Sequence, residues 1–267
     1  MPLSAHQRNN VRTTGNGPRT MMFAHGYGCD QGMWRYVAPQ FSEEFRILTF
    51  DHVGSGGSDS NAFDPAKYAT LKGYAEDVIE IAREASVQGG IFVGHSVSAM
   101  IGVLAAIDAP ELFDELVLVC PSPYFLNDGD YLGGFTQGDI DELLASMSNN
   151  YAAWSNTMAP AIIGNADRPE LGQELASAFC RMDPAIAGTF ARATFTSDNR
   201  PDLPKVSART LVLQCRDDIL AGEHIGAYVA SQVPDASLVI LDATGHCPNL
   251  SAPHAVNEAI KAFVGSP

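Results

Sequence analysis

The sequence predicts an α/β fold: a mostly parallel central sheet with helices on both faces, interrupted by a helical insertion. Three observations predict it. Short, nearly continuous apolar runs alternate with helical apolar spacing, the pattern of buried parallel strands and their crossover helices. One such run ends in Gly94-His95-Ser96-Val97-Ser98, a junction of strand, tight turn and helix. Roughly ninety residues between Cys120 and Thr210 carry helical patterns without a convincing strand, far more than a connecting loop needs.

Composition bounds the rest. A chain of 267 residues suits one large domain, or one domain with an insertion. Its 46% hydrophobic and 18% charged content is that of an ordinary soluble globular protein. The net charge of −15 works against binding nucleic acid or an anionic membrane surface. Five scattered cysteines without CxxC spacing (Cys29, Cys120, Cys180, Cys215, Cys247) suggest reduced thiols, with neither a disulfide framework nor a zinc site. The polar start, Met1 to Asn10, lacks the apolar core of a signal peptide, and no run approaches a membrane span. The expectation is a cytoplasmic protein without metal or cofactor.

Taken in order, Arg19 to Ala24 reads as a strand running into His25-Gly26-Tyr27-Gly28. A helix capped by Asp30 should carry Met33, Trp34, Val37 and Phe41. Phe45 to Phe50 is a further strand, followed by a glycine-rich loop from Asp51, read as structural. Leu71 to Glu84 has amphipathic helical spacing, Gly90 to Gly94 is a buried strand, and Glu115 to Cys120 another. The insertion contains helical patterns at Ile140–Met147, Tyr151–Met158, Glu170–Met182 and Pro184–Phe195. Placed at the carboxyl edge of the sheet, it is positioned to be a lid, and its many large apolar residues suggest an apolar cavity beneath. Strands at Thr210–Gln214 and Leu238–Leu241 and helices at Glu223–Gln232 and through Val256, Ile260 and Phe263 close the chain. The division expected is a core of 1–121 and 204–267 with an insertion of 122–203.

Three polar residues fall just past the carboxyl ends of parallel strands, where loops converge: Ser96, Asp217 and His246. Their order is that of α/β-hydrolases. A serine hydroxyl needs a base beside it, a role for His246, and an acid to orient the imidazole. Asp218 competes for the acid role. Asp217 is favoured because it comes first after the strand and stands four residues before Ala221, where related loops often carry proline. The backbone N–H groups of Tyr27 and Val97 are the candidates for stabilising an oxyanion. The fifth position of the elbow pattern Gly-x-Ser-x-Gly is Ser98, still small. There is no HExxH and no Gly-x-x-x-x-Gly-Lys.

The segment Phe92 to Gly102 resembles, nearly residue for residue, the elbow of the α/β-hydrolase subfamily that includes the bacterial stress-response regulator RsbQ and the plant strigolactone and karrikin receptors. The likeness extends to His25–Gln31, Pro121–Asp128, Gly133–Phe135, Asn150–Trp154, Phe195–Asp198 and Gly245–Ser251. It implies a four-helix lid over an apolar pocket, with His95, Phe125, Phe135, Trp154 and Phe195 at pocket positions. Tyr27 matches an oxyanion-loop position usually held by phenylalanine, where its hydroxyl would make the pocket mouth more polar. The implied activity is hydrolysis of small esters or butenolide lactones by a Ser-His-Asp triad. The alternative is ligand-dependent signalling to a PAS-domain phosphatase or similar partner, with slow or incidental hydrolysis.

Overall fold

The computed structural model describes residues 3–265. Seven strands form one sheet in the order β1-β3-β2-β4-β5-β6-β7. They are β1 (Arg12–Thr14), β2 (Arg19–Ala24), β3 (Phe45–Phe50), β4 (Gly90–His95), β5 (Phe113–Val119), β6 (Arg209–Asp217) and β7 (Ala236–Thr244). Every pairing is parallel except β1 with β3. The central strand β4 is buried at all six positions, which explains why it reads as an unbroken apolar run. The edge strand β1 is exposed at all three and leaves no apolar signal in the sequence.

From β2 the chain goes to β3 on one side, then returns to β4 on the other. The crevice between the carboxyl ends of β2 and β4 is therefore the topological switch point, where ligands bind in open α/β sheets. The short helix α1 (Ala5–Arg8) precedes β1; α2 (Leu71–Glu84) and α3 (Val97–Asp108) flank β4 in sequence. Ten of the twelve residues of α3 are buried, so its sequence is apolar all round rather than striped.

Between β5 and β6 lie four helices: α4 (Gln137–Asn149), α5 (Tyr151–Ile163), α6 (Pro169–Phe179) and α7 (Pro184–Thr196). Their starts follow from local chemistry. Thr136 and Asp139 make a capping box for α4, Asn150 caps α5, Pro169 opens α6, and Asp183 caps α7 ahead of Pro184. Gly164, in the left-handed region, ends α5. The last elements are α8 (Glu223–Gln232), α9 (Pro248–Ser251) and α10 (Pro253–Val264). Among the described residues no helix is long and apolar enough to cross a membrane.

The helix expected from Asp30 is instead two 3₁₀ turns, Gln31–Trp34 and Ala38–Phe41. Asp30 does cap the first, accepting from the Gly32 N–H at 2.8 Å. Pro39, near the start of the second turn, cannot donate a backbone hydrogen bond to a continuing helix. Met33, Trp34, Val37 and Phe41 are buried as their spacing required. Asp51 is the structural anchor expected: its carboxylate accepts from the Gln31 and Gly57 N–H groups, both at 2.8 Å, and from the Asn10 amide at 2.7 Å.

Candidate active site

Ser96 sits between β4 and α3 with φ 56° and ψ −122°, a conformation a non-glycine residue adopts only under constraint. The turn closes so tightly that a Cβ on Gly94 would lie 2.4 Å from the Ser98 carbonyl oxygen, so glycine is required there. The Ser96 N–H is held by the Val119 carbonyl at 2.8 Å. Its Oγ thus projects at the sheet's carboxyl edge, 2.7 Å from His246 Nε2. On the other side of the ring, Nδ1 lies 2.7 Å from Oδ2 of Asp218. With His246 neutral, Nδ1–H donates to the carboxylate and Nε2 accepts from the serine hydroxyl, a tautomer assigned from this network.

The carboxylate bonded to His246 is therefore that of Asp218 and not, as the sequence suggests, that of Asp217. Strand β6 runs on to Asp217, with a register shift after Cys215, and the Asp217 side chain is exposed. Only the following residue turns inward. What Asp217 supplies is its backbone carbonyl, which accepts the Gly245 N–H at 2.7 Å and so steers the loop carrying His246. The Asp218 side chain is fully buried. Burial pushes its carboxyl up, but His246 and the N–H groups of Leu220 and Ala221 outweigh this and hold it below the ordinary carboxylate range.

A second buried network lies beneath the loop after β2. His52 Nε2 is 2.7 Å from Ser98 Oγ, and that hydroxyl donates to the His25 carbonyl. The His52 N–H donates to His25 Nε2 at 3.1 Å, and His25 Nδ1 faces the Gly26 carbonyl at 2.8 Å. Ser98, the departure from glycine, is thus a polar fastener of the loop. His95 donates from Nε2 to the His246 carbonyl at 2.7 Å. Burial keeps all three rings neutral: His25 is pushed down, His52 well down, and His95 to about 3.

Val97 is the first residue of α3, where a backbone N–H has no partner within its helix and the helix dipole favours negative charge. Gly26 brings the loop of Tyr27 against the elbow: a Cβ there would stand 2.6 Å from His95 Nδ1 and 3.4 Å from Ser96 Cβ. Both amides expected to face an oxyanion are therefore on backbone bordering Ser96. Tyr27 itself lines the cavity beneath the insertion. Its hydroxyl is buried against α5 and α7, facing Tyr151 and the Ala187 carbonyl.

Beneath the insertion is a small cavity of about 40 Å³ that holds Ser96 and His246 and is otherwise largely apolar. His95, Phe125, Trp154 and Phe195 line it as expected. Phe135 does not; half-buried, it packs against Phe125 from behind, with ring centroids 6.2 Å apart. Leu143, Leu175, Thr194, Leu220, Cys29 and Cys247 line it without having been singled out as pocket residues. Trp154, Met158 and Ile162 recur every fourth residue, so one stripe of α5 forms part of the ceiling. A larger groove of about 780 Å³ runs outside the insertion past Leu144, Tyr151 and Arg192, away from Ser96.

Cys120 brings a thiol next to Asp218 and His246, the three donor groups lying within 4.8 Å of one another. The carboxylate and imidazole are already bonded to each other in the relay to Ser96. Cys120 Sγ also lies 3.7 Å from Cys215 Sγ, and burial raises the Cys120 thiol well above its ordinary range.

Residues 21–259 match the model of the alpha/beta hydrolase family. The Karrikin insensitive 2 receptor CA of Petunia hybrida is 40% identical over 94% of this chain and 93% of its own. Strigolactone esterase D14 of Arabidopsis thaliana is 39% identical over 91% of each. Among solved structures, a hydrolase from Oleispira antarctica superposes with a TM-score of 0.96 at 38% identity, covering 98% of this chain and 97% of that one.

Proposed function

Since the chain belongs to the alpha/beta hydrolase family, we propose that it is a serine hydrolase cleaving small, mostly apolar esters or lactones beneath a helical lid. One observation carries the reading: the continuous chain Ser96 Oγ–His246–Asp218, at 2.7 Å per step, facing a small, largely apolar cavity. In the first step His246 Nε2 takes the hydroxyl proton as Ser96 Oγ bonds to the carbonyl carbon. The negative charge moves to the carbonyl oxygen, facing the N–H groups of Tyr27 and Val97. Collapse breaks the ester C–O bond, and the leaving alkoxide takes the proton from His246. In a lactone that alcohol stays attached to the acyl group. Water, deprotonated by His246, then releases the acid and restores Ser96. Asp218 stays ionised and stabilises the imidazolium of each step.

Apolar walls favour small esters without charge, and the narrow cavity favours short acyl groups. The test is hydrolysis of p-nitrophenyl acetate, butyrate and octanoate and of a fluorogenic butenolide, beside a Ser96→Ala variant. Turnover that declines with chain length and vanishes in the variant is expected; equal turnover in the variant would end the reading.

A second reading is favoured by the relatives named as receptors: ligand binding signals to a protein partner, of the PAS-domain phosphatase kind, and hydrolysis is slow. It predicts that Ser96→Ala keeps a ligand-induced shift in melting temperature and in partner binding.

A further inference from the structure

The hydroxyl of Tyr27 reaches out of the core and into the insertion. It donates to the Ala187 carbonyl of α7 at 3.1 Å, and the Tyr151 hydroxyl, at the start of α5, lies 3.3 Å away and can donate to it. The ring is wedged between Phe179 and Phe190, with centroids at 5.8 and 5.5 Å. The same residue thus offers its backbone N–H to the oxyanion and its side chain to two helices of the insertion.

The other end of α5 is tied as well. The Ile162 carbonyl accepts the His246 N–H at 2.8 Å. Helix α5 therefore joins the loop of the oxyanion amide to the loop of the catalytic base across 13 residues, about 20 Å of helix. Its inward stripe faces the small cavity of about 40 Å³. An ester that presses on the insertion from this cavity acts on a helix fastened at both ends to the machinery.

We propose that Tyr27 is a positioning residue: through its hydroxyl it clamps its own backbone amide to α5 and α7, so that insertion position and oxyanion stabilisation are coupled. The inference rests on the hydrolase reading. A phenylalanine here would keep the packing against Phe179 and Phe190 and lose only the clamp.

The experiment compares wild type, Tyr27→Phe, Tyr151→Phe and the double variant, by steady-state hydrolysis of p-nitrophenyl acetate and by amide hydrogen exchange. In Tyr27→Phe, kcat should fall about fivefold, the equivalent of one net hydrogen bond, while KM stays level or falls. Exchange should rise in the segments 24–29 and 151–163. The double variant should match Tyr27→Phe, since the hydroxyls act through one link. Overturning results are a kcat within twofold of wild type, a raised KM at unchanged kcat, or multiplicative losses in the double variant. Exchange is read without substrate. If wild type turns nothing over, the hydrolase reading fails, while unchanged exchange in Tyr27→Phe alone would refute the clamp.

Discussion

Replacing Asp218 by asparagine removes one charge and almost no volume, and the surroundings dictate how the amide must sit. Oδ1 of Asp218 accepts the Leu220 N–H at 2.9 Å and the Ala221 N–H at 3.2 Å. The asparagine oxygen has to take that place, because an NH₂ there would meet two donors. The NH₂ group is then turned toward His246 Nδ1, where Oδ2 now stands at 2.7 Å. Nδ1 must accept, the ring proton moves to Nε2, and the nitrogen facing Ser96 at 2.7 Å can no longer take the serine proton. The loss expected of an inverted tautomer is about 10³–10⁴ in kcat, some 4–5.5 kcal/mol at about 1.4 kcal/mol per decade. The paired control is Asp217→Asn. Its side chain is exposed and its role is a backbone carbonyl, so kcat should stay within about twofold. Both are measured as kcat on p-nitrophenyl acetate, with melting temperatures confirming the fold. A collapse in Asp217→Asn with Asp218→Asn near wild type would refute the assignment.

Acid should destabilise the fold through its buried histidines. A ring held neutral below its ordinary pKa binds fewer protons folded than unfolded, so its stabilisation is complete above about pH 6.5 and drains away as pH falls. His95, pushed down to about 3, alone removes about 2 kcal/mol between pH 7 and 5, and His25 and His52 act in the same direction. The melting temperature should drop by about 4–8 °C or more over that interval; a flat or rising profile would contradict the neutral network. Gly245 has φ 88°, and a Cβ there would lie 1.8 Å from the Ile163 carbonyl oxygen. Gly245→Ala should therefore cost more than about 1 kcal/mol and displace the loop of His246, lowering both melting temperature and kcat. Gly188→Ala, in open space within α7, should instead be neutral or stabilising by up to about 1 kcal/mol.

What the sequence discloses and what it withholds have physical causes. Strands β2 to β5 are legible because extensive burial makes them nearly continuous apolar runs, Ser96 because it follows one of them, and His246 because it follows the short apolar run 238–241 inside β7. The acid is misplaced by one residue because β6 continues through Arg216 and Asp217, polar positions whose extended backbone leaves no apolar mark. Phe135 looked like a pocket residue and is a backing residue; a phenylalanine reads alike in either place. The Ser98–His52–His25 network was beyond reach, since it joins three loci through one hydroxyl and one backbone amide. Ser98 offered the one clue, a polar residue where only smallness seemed required. The Tyr27 hydroxyl is legible in the sequence as a polar group, but its direction is not, because its partners lie 124 and 160 residues away.

On the proposed function, Ser96 is the nucleophile of an ester hydrolase. The most direct measurement is covalent: treat the protein with a fluorophosphonate, determine its intact mass, and map the modified peptide while following p-nitrophenyl acetate turnover. A single adduct on Ser96 that forms in step with loss of activity is expected, with neither adduct nor turnover in Ser96→Ala. An adduct on another residue, or undiminished turnover in Ser96→Ala, would contradict it.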